Sequence, residues 1–480
     1  MNHRRFSSGY ALGAVTATTG LVLVAGVLAT ACANSSTPQQ PEFTGSGSNA
    51  QHAAMVANDA GQQLKPFPVG GPPDPGAGAF YVTISGESNA ITGYPFPPDN
   101  FTTDTYMVDG WQFVIEAYIV IVDKITLWAE PNYRATDQSL HGVQVAHLDG
   151  PFVVDLHKGG ALVGQGGSPE QATSLGVLSN QNDNGGAPFD PTTPYGFGFS
   201  TIPAGIPFAG YTGEVAGYDA YNVNLDESES DDYAYMVANG ASVYYRGTAV
   251  WTGSASMYGC TQTRAGAGLA PDDGGLDGGS SSYVDGSYDF SRMPETGMRF
   301  RFAFSTPTNY VNCQNGAGVG MGVAGEEFPR GVQASTSQSV IAQVTVHMDH
   351  PFWESFAEDT PVHWDQIAAQ YVGVEPSLAD GLVEAHIDDF RGVPFQGFTD
   401  HTGTPLPWRN CSGTNYALPG NGQMFFSTLS VPVDPHATSP SVAIRDYYDY
   451  IRYTQSTQGH LNSQGLCYID RQFPSPPGGS

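Results

Sequence analysis

The chain has 480 residues and a formal net charge of −29, with 17 Lys and Arg against 46 Asp and Glu. So acidic a surface argues against a nucleic-acid partner, whose phosphates demand basic side chains, and it repels an anionic membrane. The 60 glycines and 35 prolines favour a turn-rich β protein over a helical one.

Arg4 and Arg5 precede an apolar stretch from Leu12 to Leu28, which ends in Ala29-Thr30-Ala31-Cys32. A positive start, an apolar core and small residues are the parts of a secretory signal. Glycines and threonines dilute the stretch too much for a permanent span, which takes about 20 mostly apolar residues. The Ala29–Cys32 run resembles the lipobox of bacterial lipoproteins, in which the cysteine becomes the lipid-modified first residue. The usual Leu three places before the cysteine is Ala29 here, and plain cleavage after Ala-x-Ala would give a secreted chain instead. The resemblance implies that residues 1–31 are removed, that Cys32 carries lipid and that this lipid holds the chain to a membrane. Ala33 in place of Asp gives no inner-membrane retention signal, so the expected address is the outer membrane or cell surface. Loss of Arg4 and Arg5 leaves the mature chain two charges more negative. Residues 32–77 are rich in Ser, Pro, Gln, Gly and Ala and read as a flexible tether.

Strand patterns follow. Phe80, Val82 and Ile84 alternate with polar neighbours, and Trp111 to Trp128 is a long apolar, β-branched run. Met298 to Phe304 alternates with one aromatic face. Val340, Ala342, Val344, Val346 and Met348 form one face of another strand, opposite Gln343, Thr345, His347 and Asp349. Two helices are expected. One has Thr360 as cap, Pro361 in the first turn and Gly373 at its end; the other spans about Val442 to Tyr453. On that second helix, core packing is expected of Tyr447 and Tyr448. Residues 180–186, 226–232 and 270–282 read as polar loops. Within the last, Asp272 to Asp277 resembles a calcium loop but lacks the alternating ligands and terminal Glu of an EF-hand.

The expected fold is mainly β: two sandwich-like β domains, 78–215 and 216–480, with short helical insertions. His147-Leu-Asp-Gly-Pro-Phe152 matches His347-Met-Asp-His-Pro-Phe352, which hints at a duplication across that boundary. Cys32 apart, Cys260, Cys313, Cys411 and Cys467 remain, an even number suited to two disulfides outside the cytoplasm. Three pairings are open. The sequential one, Cys260 with Cys313 and Cys411 with Cys467, is the simplest.

The chemical lead lies in three His-x-Asp triplets: His147/Asp149, His347/Asp349 and His386/Asp388. On a strand each places an imidazole beside a carboxylate. His350 follows the second triplet at once, and His363 sits early on an expected helix. His347, Asp349, His350 and His363 are therefore the candidate ligands for zinc, copper or iron, metals that suit imidazole with carboxylate. The other two triplets read as structural pairs. Thr345 to His350 resembles the His-x-His-x-Asp-His motif of metallo-β-lactamase-type hydrolases, with Thr345 in the place of the first histidine. That resemblance implies a metal-dependent hydrolase, but the chain lacks the alternating α and β pattern of that fold. No nucleophile elbow, phosphate loop or His-Glu-x-x-His is present. The expected role is non-catalytic metal binding. The alternative is a surface adhesion or carbohydrate- or protein-binding lipoprotein, which the 12% aromatic content would serve.

Overall fold

The computed structural model describes residues 64–471, apart from 102–103, 132–139, 206–212, 218, 255–259, 264–289, 295–296, 323–325, 354–360, 377, 394–407, 413–428 and 433–440. The leader, the lipobox, residues 32–63 of the expected tether and the Asp272 to Asp277 loop lie outside these residues.

In chain order, the elements that position the site begin with β1 (Phe80–Ser85), α1 (Glu87–Thr92), β2 (Trp111–Trp128), β3 (Gln144–Leu148) and β4 (Phe152–Asp155). Next come β5 (Gln171–Leu178), α2 (Ser230–Asn239), β6 (Val243–Trp251), β7 (Thr261–Thr263), β8 (Met298–Phe304), β9 (Thr308–Val311) and β10 (Val340–Val346). The last are α3 (Asp365–Ala368), β11 (Trp408–Asn410), α4 (Tyr447–Gln455), β12 (Gly459–Leu461) and β13 (Tyr468–Arg471).

The fold is mainly β. Among the described residues, a 12-stranded and a 6-stranded sheet hold most of the strands. In the larger sheet, β2 pairs antiparallel with β6, and β6 with β8. Strands from both sides of residue 215 thus share one sheet. In the smaller sheet β1 lies parallel to β10 and antiparallel to β5, and β10 pairs antiparallel with β12. Phe113, Tyr118, Val120 and Tyr245 of the larger sheet meet Val82, Ile84, Val344 and Val346 of the smaller in one core. The opposite face of β2, with Ala117, Ile119 and Ile121, is covered by Tyr233 and Met236 of α2.

Several expectations need correction. Residues 226–232 are not a loop. Asp226 accepts from Ser228 N and Glu229 reaches back to Asp226 N, a capping box that starts a 3-10 turn and then α2. The helix expected from Pro361 begins only at Asp365, because Asp109 Oδ2 accepts from the N–H groups of Trp364 and Asp365 at 2.7 and 2.8 Å. Thr360, the expected cap, lies outside the described residues. Val442 to Ile444 belong to a strand, Ser441–Ile444, and α4 starts after Asp446, whose side chain caps Asp449 N. Tyr447, Tyr448, Tyr450 and Tyr453 of α4 are buried in the core.

The disulfides are Cys260–Cys411 and Cys313–Cys467, not the sequential pairs. Sheet register sets this choice. Thr261 pairs with Asn410 where β7 meets β11, and Val311 with Tyr468 where β9 meets β13. Each cysteine is carried to its partner by strands distant in sequence.

Candidate metal centre

The end of β10 delivers the site. Thr345 pairs with Ser85 on one side, parallel, and with His460 on the other, antiparallel. The parallel register sets Glu87, two residues past Ser85, abreast of His347. The antiparallel register brings His460 onto the face that Thr345 and His347 share. Thr345, where the hydrolase motif would have its first histidine, thus faces a histidine from another strand.

His347, His350 and His460 are all buried, and their ligand atoms lie within 4.8 Å of one another. Glu87, His347 and Asp349 form a second such group. The rings of His347 and His460 stack at 3.9 Å, and His350 stands edge-on to both. A tetrahedral ion with bonds of about 2.0–2.1 Å spaces its ligands about 3.4 Å apart, a spacing inside that 4.8 Å limit.

Hydrogen bonds orient each ligand. Thr457 Oγ1 donates to the Thr454 carbonyl at 2.7 Å, so at 2.6 Å it accepts from His350 Nδ1–H. The neutral His350 ring then carries its lone pair on Nε2, as a metal ligand held by its other nitrogen should. Trp353 stacks on His350 at 3.7 Å and donates Nε1–H to Asp349 Oδ2 at 2.9 Å. Asp349 Oδ1 is buried and has no hydrogen-bond partner among the described residues. His347 Nε2–H donates to the Ser463 carbonyl at 3.0 Å and lies 3.3 Å from Glu87 Oε1. Burial would lower the His347 pKa, but the Glu87 and Asp349 charges and the Ser463 carbonyl outweigh it and raise it.

The backbone around the site is held in unusual shapes. Glu87 has φ 63°, and Asn462 and Ser463, at the turn after β12, have φ 52° and 70°. Such conformations persist only where the surroundings impose them. Ser463 N donates to Thr345 Oγ1 and Gln343 N to Asn462 Oδ1, which fastens the turn to β10. Beneath, Tyr118 and Tyr245 stack at 4.5 Å, and Gln458 Nε2 donates to Tyr118 Oη at 2.5 Å. His347 N donates to the Gln458 carbonyl, so this polar layer fixes the height of His347.

Of the candidate ligands, the structure brings together His347, Asp349 and His350. His363 does not join them. It precedes α3 in an extended segment, buried, with Nδ1 3.6 Å from Asp109 Oδ2. His460 and Glu87 were not among the candidates read from the sequence, although the polar run Asn462-Ser463-Gln464-Gly465 between Leu461 and Leu466 is a turn signal that marks a hairpin beside His460. The other triplets are structural. His147 bonds Asp183 through Nδ1 and Asp149 through Nε2, and the Asp183 hydrogen bond raises its pKa. His386 meets the Tyr235 hydroxyl, and Asp388 pairs with Arg391. The matched hexapeptides also differ locally: His147 and Phe152 belong to strands β3 and β4, whereas His350–Phe352 is a 3-10 turn.

Among the described residues no helix is long and apolar enough to cross a membrane, and two disulfides suit an extracytoplasmic compartment. Comparison of the chain with family models, curated proteins and solved structures finds no match.

Proposed function

We propose that this chain is an envelope lipoprotein, anchored through Cys32 at the outer membrane or cell surface, that holds a divalent transition metal without catalysing a reaction. The observation that carries the reading is the convergence of three buried imidazoles: His347 just past the end of β10, His350 on the turn that follows, and His460 on β12. Imidazole donors with carboxylates alongside suit zinc, copper or iron. Burial of all three rings supports holding over hydrolysis, since a hydrolytic metal keeps a position open to water and substrate. Among the described residues, the exposed large hydrophobic side chains are Val, Leu and Met, with no aromatic platform of the kind an adhesin would use.

Elemental analysis of the exported chain from Ala33, beside a His347→Ala/His350→Ala double variant, tests this reading. Bound zinc, copper or iron that the variant lacks would support it. No metal in either, after loading and dialysis, would sink it.

A further inference from the structure

His347 belongs to both ligand groups, and no single group holds all five side chains. One ion cannot reach every donor as they stand. On the carboxylate side the spacing is already close to that of a coordination shell. The Ser463 carbonyl and Glu87 Oε1 lie 3.0 and 3.3 Å from His347 Nε2. Neighbouring ligands on an ion with bonds of about 2.0–2.2 Å sit about 3 Å apart. Asp349 completes the group. Its Oδ1 is buried without a hydrogen-bond partner among the described residues, while Trp353 occupies Oδ2. A buried carboxylate oxygen left unsatisfied is costly, and a cation removes that cost.

We infer that His347 is shared by two cation subsites, one of three imidazoles and one, oxygen-rich, built from Glu87, Asp349, the Ser463 carbonyl and His347 Nε2. This rests on the metal-binding reading above. The donors set the metal classes. His347, His350 and His460 suit Zn2+ or Cu2+, whereas three oxygens with one imidazole suit a harder ion such as Mn2+. Engagement of Nε2 by the oxygen-rich subsite leaves Nδ1 for the three-imidazole subsite. With both ions bound, the neutral His347 ring bridges them as an imidazolate, its one N–H proton released to solvent. The Ser463 carbonyl then exchanges its hydrogen bond from Nε2 for a bond to the ion.

The test is metal stoichiometry on the exported chain loaded with Zn2+ and Mn2+ together, then dialysed. The expected result is two ions per chain, one of them lost in Glu87→Gln, a different one lost in His460→Ala, and both lost in His347→Ala. Circular dichroism confirms that each variant is folded, and Glu87→Gln keeps the size of the side chain it replaces. A single ion per chain, whichever variant removes it, overturns the shared site. His460→Ala then tells whether the three-imidazole reading survives. No ion at all overturns both readings together.

Discussion

The imidazoles of His347 and His460 lie face to face, 3.9 Å between centroids and 12° from parallel. A metal bonds in the plane of a ring, so two parallel rings cannot both point at one ion. Binding must tilt at least one of them. That tilt is expected to be local, because His347 is tied to Gln458 and the ladder fixes His460 opposite Thr345. His460→Ala should weaken Zn2+ binding at least about tenfold, by loss of one ligand. His363→Gln should leave it unchanged. Competition against a chromophoric chelator measures both, and an equal loss in the two variants would contradict the ligand assignment.

Trp353 touches two ligands, stacking on His350 and donating to Asp349. Groups that orient ligands from outside are typically worth about 10–100-fold in metal affinity. Trp353→Phe keeps the stacking ring and removes the donor. It is expected to lose affinity within that range and keep the fold. The wild-type chain should also change its tryptophan emission on metal titration, and Trp353→Phe should lose most of that change. Unaltered affinity in Trp353→Phe would remove this residue from the site.

The disulfides close loops of 151 and 154 residues. In the chain-entropy model each is worth about 5 kcal/mol. Cys313→Ser/Cys467→Ser should therefore shift the urea midpoint strongly downward, and Cys467 lies close behind the hairpin that carries His460. Peptide mapping without reduction should find 260 joined to 411 and 313 to 467. Recovery of a 260–313 peptide would refute this register.

Asp155 and Glu229 give the fold a pH dependence. Burial first, then the neighbouring Asp155, push the Glu229 pKa up to about 8, against the pull of Lys158. Asp155 Oδ2 and Glu229 Oε1 are buried and have no hydrogen-bond partner among the described residues, and a proton on Glu229 lets it donate to Asp155. The folded state therefore binds a proton that the unfolded chain releases near its ordinary value of 4.5. Stability from this pair is full below that value and falls as pH rises to about 8, by up to about 1.4 kcal/mol per unit. Glu229→Gln can donate its amide to Asp155 at every pH. Urea unfolding between pH 5 and 9 should show a flatter profile in the variant, and parallel profiles would contradict the shared proton.

Strands were the most legible part of the sequence, because Phe80–Ser85, Met298–Phe304 and Val340–Val346 alternate cleanly. The His347, Asp349 and His350 cluster was legible because a strand end and a tight turn fold locally. His460 and Glu87 were hidden since only sheet register brings them in; the contact of His350 with Thr457 already spans 107 residues. The disulfide pairing was hidden for the same reason. His363 misled because a capping residue from far upstream, Asp109, replaced the local cap and moved the helix start to Asp365. The acidic run from Asp226 looked like a loop by composition, yet its Asp-x-x-Glu spacing carried the start of α2.

The most direct test of the account is the position of the metal itself. Crystals of the chain grown with Zn2+ would be measured on both sides of the zinc absorption edge. The account predicts an anomalous peak within about 2.0–2.2 Å of nitrogens of His347, His350 and His460. A peak at His147 or His386 instead, or none anywhere near β10, would contradict it.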